Sequence, residues 1–237
     1  MASSSFVHLQ CQSEYSVKNS LIRVPKLIES VQQAGMDSVA LTDHMSLFSA
    51  VKFYQKAIDS GIKPIIGVKV VVAFSLGQYE VILLCQNNEG YLNLSELISK
   101  AYLNEQGIEG VSVTEEQLIE HQNGLIMVAT SVSSDIAQLL LANESNLAEE
   151  KALGWKSIFS DRYYMSVQRT DRPPDEQLLH LTIELGLRLD IPIVAINDVQ
   201  FLDKNEYEAH EARICIAEGG LLDDARRLKN FSESQYL

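Results

Sequence analysis

The sequence predicts an α/β fold in which a mainly parallel sheet closes into a barrel, and three observations predict it. Strand-like and helix-like segments alternate along almost all of the 237 residues. About seven such units can be counted, and repeated strand–helix units are typical of parallel sheets. The sequence carries no glycine-rich dinucleotide-binding motif of the kind that doubly wound sheets use. A barrel is therefore favoured over a doubly wound sheet.

The strand predictions rest on short apolar runs rich in β-branched residues and bounded by turn residues. The run from Pro64 to Val72 is the clearest, and only a short link at 75–78 separates it from the next run, so a hairpin is plausible there. In chain order, strands are predicted at 6–11, 38–41, 64–72, 80–84, 125–128, 162–166 and 192–195.

The helix predictions rest on apolar residues that recur every three or four positions. The first helix carries Leu27, Ile28 and Val31 at this spacing, and Pro25 suits its first turn. Gly35 and Gly61 follow the first two helices, as glycines commonly do at helix ends. In chain order, helices are predicted at 25–34, 47–59, 88–103, 135–141, 145–158, 174–187 and 205–217.

Length and composition predict one domain over residues 1–237, since 46% hydrophobic residues suffice for one large core. The polar, charged tail from Gly219 onward predicts that a longer chain continues beyond it. The formal net charge of −13 argues against strong DNA binding by this segment alone, because an acidic surface repels phosphates. Simple solubility explains the same charge equally well.

The three cysteines, Cys11, Cys85 and Cys215, lack metal-ligand spacing, which indicates a reducing compartment without disulfides. The first five residues lack the features of a signal peptide, and no apolar run approaches the ~18 residues of a membrane span. A cytoplasmic protein with no membrane partner is expected.

Polar residues stand at the predicted strand ends, which is where α/β barrels hold their functional groups. Residues 8, 10 and 12 share one face of the first strand, while Cys11 points the other way into packing. Asp43 and His44 end the second strand, and Asp198 follows the last one. Taken alone, His44 is more often a hydrogen-bonded structural histidine, and Asp198 more often a helix cap or turn residue.

A series of motifs resembles the polymerase-and-histidinol-phosphatase (PHP) domain, and more narrowly the N-terminal PHP domain of the alpha subunits of bacterial DNA polymerase III. The resemblance covers essentially the whole chain in the right order. The motifs are 6–16, 40–44 (Ala-Leu-Thr-Asp-His), 61–67 (Gly-Ile-Lys-Pro-Ile-Ile-Gly), 88–94 with 97–102, 195–199 (Ala-Ile-Asn-Asp-Val) and 209–211 (Ala-His-Glu).

The resemblance implies a distorted seven-stranded (βα)7 barrel. It also implies a phosphoesterase ancestry, in which histidines and carboxylates hold up to three metal ions. The family's site positions, some originally histidine, aspartate, glutamate or cysteine, fall in this sequence on Gln10, Gln12, Asn19, His44, Lys69, Glu80, Ser131, Asp198 and Gln200.

Most of these positions have lost their metal-binding chemistry. Transition metals prefer imidazole, thiolate or carboxylate ligands, so the amides that replace them bind poorly. Lys69 replaces a glutamate with a cation that repels a metal ion, and Glu80 is the one replacement ligand. We expect no catalytic or metal-binding residues in this domain. We expect the Lys69 ammonium to neutralise Glu80 or Asp198, unless Lys69 simply extends into solvent.

The resemblance implies a parent chain that is a DNA-directed DNA polymerase, with its own carboxylates and Mg²⁺ outside these residues. It implies that this domain is a scaffold for the polymerase, meets DNA through the parent chain, and docks the separate proofreading exonuclease subunit. No cofactor is expected in the domain itself. The alternatives are a residual metal-dependent phosphoesterase, acting as a 3′–5′ exonuclease or pyrophosphatase, and a free-standing phosphatase of the histidinol-phosphate type.

Overall fold

A computed structural model describes residues 6–74, 77–103, 110–224, 226 and 229–237. Within these residues the chain forms eight α-helices that flank one curled sheet. The predicted hairpin link at 75–78 lies partly outside the described residues, at 75–76. The helices are α1 Val24–Gln33, α2 Ala50–Asp59, α3 Asn88–Leu103, α4 Glu115–Glu120, α5 Asp135–Leu141, α6 Ser145–Phe159, α7 Asp175–Leu189 and α8 Tyr207–Glu218.

The sheet has seven strands in the order β1-β2-β3-β5-β6-β7, with β4 paired to β2 beyond the end of β1. Four of the strand pairings are parallel, and the two that involve β3 are antiparallel. The predicted α/β barrel is thus confirmed as a half-barrel with one reversed strand. The strands are β1 Ser38–His44, β2 Lys63–Phe74, β3 Gly77–Cys85, β4 Val113–Thr114, β5 Leu125–Ala129, β6 Tyr163–Val167 and β7 Ile193–Ala195.

The prediction of a regular first strand at 6–11 is wrong. Only Cys11 forms a bridge, which is parallel and pairs with Val199. On the β1 side, the carbonyls of His8 and Cys11 accept from the amides of Ala40 and Thr42, both at 2.8 Å. From His8 to Cys11 the chain advances three residues, whereas from Ala40 to Thr42 on β1 it advances only two. The first segment therefore contains one extra residue, which interrupts the ladder as a β-bulge does. The segment still joins the two ends of the curled sheet.

The same segment brings the two glutamines to the end of the chain's last strand. The amide of Gln12 donates to the carbonyl of Val199 at 3.2 Å, and the amide of Val199 donates to the carbonyl of Gln10 at 3.1 Å. This pairing sets Gln10 beside Asp198 and Gln12 beside Gln200. Cys11 packs on the opposite side with Ile22 and the α1 residues, as strand alternation predicts.

Three apolar clusters hold the helices and the sheet together. The largest lies between the sheet and helices α3 to α7, and it includes the fully buried Phe159 and the predicted core residue Trp155. A second cluster lies between β1 and helices α1 and α2. The third, small cluster lies on the other, concave face of the sheet, around Ala40, Ile82 and Val128. The concave face is therefore apolar over only part of its height.

Candidate functional site at the polar end of the half-barrel

The concave face of the sheet changes from apolar to polar along the strands. On β3 the residues of this face are Leu84, Ile82 and then Glu80, and on β2 the same face carries Ile65, Gly67 and then Lys69. A side chain at Gly67 would place its Cβ 2.6 Å from the carbonyl oxygen of Leu83, so the two strands approach too closely there for anything but glycine. On the side of Gly67 that carries Lys69 and Glu80, the concave face of the sheet is polar.

A cavity of about 320 Å³ opens at the polar end. Six of the residues that the sequence nominated line it: Gln10, Asn19, Lys69, Glu80, Ser131 and Asp198. His44 lines a neighbouring cavity of about 650 Å³, and Asn19 and Glu80 border both. Gln12 and Gln200 are fully buried beside the first cavity. The fold thus brings the nominated positions into one region.

The buried Lys69 ammonium and the half-buried Glu80 carboxylate form an ion pair, with 2.9 Å between Nζ and Oε2, as expected from the sequence. Lys69 faces Ile82 across the β2–β3 ladder, so Glu80 is its diagonal neighbour on the same face. Burial by itself lowers the pKa of Lys69, but the negative charges of Glu80 and Asp198 outweigh it and raise that pKa. The ammonium is therefore held in its charged form.

The pKa of the Glu80 carboxylate is shifted in the opposite direction, below its usual value. Burial by itself would raise its pKa, but Lys69 and a 2.6 Å hydrogen bond from the Ser133 hydroxyl outweigh burial and lower it. His44 lies 3.8 Å from the other Glu80 oxygen. Burial lowers the pKa of His44 despite that carboxylate, which favours the neutral imidazole. Glu80 therefore lies between a charged lysine, Lys69, and a neutral histidine, His44.

Asp198 is buried and held by amide groups rather than by a cation. The side-chain nitrogens of Gln10 and Gln200 both donate to Oδ1, the latter at 2.8 Å, and that of Gln235 donates to Oδ2 at 3.2 Å. Hydrogen bonds to a carboxylate are charge-assisted and stronger than neutral ones. Thus Gln10 and Gln200, at positions where the family resemblance predicts histidines, both act as hydrogen-bond donors to Asp198.

Asp43 is a second buried carboxylate, and its role is structural. Its oxygens accept from the hydroxyls of Ser13, Ser16 and Ser49 and from the backbone amide of Ser13, the last at 2.6 Å. These bonds tie the loop after the first segment to β1. Asn19 lies in the same loop, and its backbone carbonyl accepts from the ring of His210 at 2.6 Å.

The donor set does not fit the family's hydrolytic metal ions. Within the described ranges, no three His, Cys, Asp or Glu side chains are placed to hold an ion together. The Lys69 ammonium occupies the position next to Glu80, and the Asp198 oxygens already accept amide hydrogens. Acidifying bound water requires several anionic or imidazole donors on each ion. No hydrolytic step can be derived from this arrangement.

Three residues at this end were not anticipated from the sequence. Ser133 bonds Glu80, His210 bonds the Asn19 loop, and Gln235 bonds Asp198. Ser133 belongs to a run of hydroxyl residues after β5, and His210 to one of the quoted motifs, so both carried a weak signal. Gln235 carried none, because its role depends on how the segment at 229–237 packs beside the segment after β7.

The fold defines a class, the α/β half-barrels, and solved structures that share it include proteins described as metal-dependent phosphoesterases. A protein from Bifidobacterium adolescentis described as a metal-dependent phosphoesterase aligns with a TM-score of 0.57 and 10% identity, over 83% of this chain and 88% of that one. An amidohydrolase from Chromobacterium violaceum also has a TM-score of 0.57 and 10% identity, over 88% and 97% of the two chains. At such identities the likeness concerns the fold alone.

The chain belongs to the PHP domain family, whose pattern matches residues 8–170. Its similar relatives include the DNA polymerase III subunit alpha of Pseudomonas fluorescens, which is 40% identical over 236 residues, covering 98% of this chain and 20% of the relative. That of Escherichia coli K12 is 38% identical over 240 residues, covering 100% and 21%. The chain spans about a fifth of the length of these relatives.

No helix within the described ranges has the length and apolar character needed to cross a bilayer.

Proposed function

We propose that this chain is the PHP domain of a bacterial replicative DNA polymerase alpha subunit in which the ancestral metal centre has become a structural polar network. The observation that carries the proposal is the Lys69–Glu80 ion pair at 2.9 Å. An ammonium at this position supplies the positive charge that a metal ion would supply, and it repels such an ion. The domain holds no catalytic residues of its own in this proposal.

The domain then serves as a scaffold within a larger cytoplasmic polymerase and as a docking site for a separate proofreading exonuclease subunit. The similarity to alpha subunits along the whole chain supports the polymerase context. A replicative polymerase whose PHP domain does not hydrolyse phosphoesters has to obtain proofreading from another subunit. This requirement supports an exonuclease partner. In the parent chain, nucleotidyl transfer would depend on Mg²⁺ and carboxylates elsewhere.

Elemental analysis and activity assays of the purified chain test the loss of metal chemistry. We expect less than about 0.1 zinc or manganese ion per chain, no hydrolysis of a 3′ DNA end or pyrophosphate, and no change of melting temperature with a chelator, because no folding energy is linked to such ions. About one or more tightly held transition-metal ions per chain would contradict the proposal and favour a residual phosphoesterase.

Variants of the ligand positions sharpen the test. Gln10→His with Gln12→His rebuilds one histidine pair but keeps the Lys69 cation, so we expect zinc uptake only when Lys69→Glu is added. Tight zinc binding by the histidine pair alone would show that repulsion by Lys69 is unimportant. Docking is tested separately, by titrating the chain with the exonuclease subunit from the same organism and measuring complex formation by calorimetry.

A further inference from the structure

Helix α2 presents apolar side chains that the rest of the domain leaves uncovered. Its inner face packs on β1 through Phe53 and Ala57, which are fully buried. A second row faces outward and is 78%, 64%, 51% and 53% exposed in chain order. We name this row the α2 stripe: Phe48, just before the helix, and Val51, Tyr54 and Ile58. Spacings of three or four residues set the row along one side of the helix, and exposed apolar patches of this kind mark interaction sites.

An apolar groove of about 530 Å³ adjoins the α2 stripe. It lies between α2 and the start of α3, on the convex face of the sheet, because Ile66 alternates with the concave-facing Ile65 and Gly67. Its apolar lining consists of Val51, Tyr54, Pro64, Ile66, Cys85 and Tyr91. Among the described residues, those that line the groove include no charged side chain, and side-chain amides such as those of Gln86 and Asn88 complete the lining.

The composition of this surface indicates a partner that stays in place. Interfaces between permanently associated parts are more apolar than those between proteins that meet and part, and interface cores are poor in charged residues. Charged residues make up 22% of this chain, yet none of the described residues that line the groove is charged. A segment held covalently fits such a surface better than a separate subunit does.

The proposed parent chain supplies such a segment. The alpha subunits that this chain matches are about five times its length, so most of such a parent lies outside these residues. Leu237 packs against the same apolar cluster that holds the inner face of α2, so the residues that follow it in the parent leave the domain next to that cluster. We propose that an apolar segment of the parent chain beyond Leu237 covers the α2 stripe and the adjoining groove. This inference rests on the polymerase context of the proposed function.

Thiol labelling at position 54 tests the proposal. Tyr54→Cys is made in the 237-residue chain and in the full-length parent chain, and peptide mass spectrometry gives the rate of maleimide modification at this position. We expect modification to be at least about 10-fold slower in the full-length chain, because a covered thiol reacts only when the covering segment opens. Ser157→Cys, exposed on α6, is the matched control and should react equally in both chains. Val51→Cys repeats the measurement if Tyr54→Cys fails to fold.

The outcomes separate this inference from the proposed function. Extension of a primed template by the unsubstituted full-length chain is measured alongside and tests only the proposed function. Equal modification rates at position 54 in a full-length chain that extends DNA would overturn this inference alone. Slow modification only after the exonuclease subunit is added would assign the α2 stripe to that subunit. Modification that slows as the concentration of the 237-residue chain rises would assign it to a second copy. Either result would overturn the parent-chain occupant.

A charge placed in the α2 stripe provides the converse test. Ile58→Glu, added to full-length Tyr54→Cys, should raise the modification rate towards that of the 237-residue chain, because burying an unpaired carboxylate under the covering segment is costly. Ile58→Leu keeps the apolar character and the size of the side chain, so it should leave the rate slow. A rate that Ile58→Glu does not change would contradict an apolar cover over this row.

Discussion

Lys69 shows how one side chain sets the electrostatics of a whole site. Lys69 lies on the concave face of β2, two residues beyond Gly67. Its side chain is only 9% exposed, so its ammonium is far less hydrated than that of a surface lysine. Its ammonium therefore pairs with Glu80, whose own side chain is 23% exposed. The energetic value of such a pair is dominated by the cost of breaking it.

Lys69→Met should lower the free energy of unfolding by about 3 kcal/mol, because it leaves the half-buried Glu80 charge without its partner. Lys69→Met combined with Glu80→Gln should recover most of that loss, because neither charge then remains. Urea unfolding at neutral pH measures both. Lys26→Met is the matched control, since Lys26 pairs with Glu29 on the exposed surface of α1. A Lys69→Met variant as stable as the parent would rule out a stabilising bridge.

The same pair predicts a loss of stability in acid. The pKa of Glu80 in the folded chain lies below its usual value of 4.5, so below that pH the unfolded chain binds the proton more readily than the folded chain does. The stability that Glu80 contributes is therefore present above pH 4.5 and is lost as the pH falls through the folded pKa. Denaturant unfolding between pH 6 and pH 3 should show a shallower decline for Glu80→Gln than for the parent. The exposed Glu120→Gln should decline as the parent does; identical slopes for all three chains would contradict the prediction.

At the scale of elements, the reversed strand β3 determines what reaches the polar end. The parallel strands contribute residues from their carboxyl ends, as barrels do. Because β3 is antiparallel to both β2 and β5, it contributes Glu80 from its amino-terminal half instead.

The start of α3 makes a tight contact with the turn before β5. The oxygen of the Asn87 side chain accepts from the amide of Gly90 at 2.9 Å, and the backbone of Gly124 lies directly against Gly90.

Gly90→Ala should destabilise the chain by about 3 kcal/mol, because the added Cβ would lie 1.9 Å from the carbonyl oxygen of Gly124 and two backbone segments would have to move apart. Gly154→Ala is the matched control: Gly154 lies inside α6 and a Cβ there meets no atom within 4 Å. That control should stabilise the helix by about 0.5–1 kcal/mol. Thermal unfolding of both variants gives the comparison, and an equally mild effect at the two positions would show that the α3 contact is loose.

At the scale of the whole molecule, charge governs encounters with nucleic acid. The chain has 32 acidic and 19 basic residues. Many basic side chains of the described residues are engaged with carboxylates or carbonyls, as Lys151 is with Glu115 and Arg162 with the carbonyl of Leu125. Long-range repulsion therefore opposes the approach of a phosphate backbone.

We expect no measurable binding of a duplex of about 20 base pairs at about 10 µM protein and physiological salt. Fluorescence anisotropy of a labelled duplex provides the measurement, and a basic DNA-binding protein of similar size is the positive control. Micromolar or tighter binding that weakens steeply with added salt would show a phosphate-binding surface, contrary to this expectation.

Local sequence patterns predicted most elements of this fold. The predicted helix at 88–103 coincides with α3, and the predicted strand at 64–72 lies within β2, because apolar periodicity and turn residues report local backbone preference directly. The extra elements β4 and α4 were missed, since two strand residues and one short helix carry too little periodicity. The first strand was predicted as regular, but a bulge between two unlike partners interrupts it.

By itself, the sequence determined the α/β class, the family motifs and the identity of the residues at the site positions, because these depend on residue type and order. Only the tertiary structure decided which of them meet. It joined Lys69 to Glu80 across a reversed strand, and it set Gln10, Gln200 and Gln235 around Asp198 although 188 positions separate Gln10 from that aspartate. The physical reason is that hydrogen bonds and ion pairs between distant residues depend on how the sheet curls and closes, which no local pattern encodes.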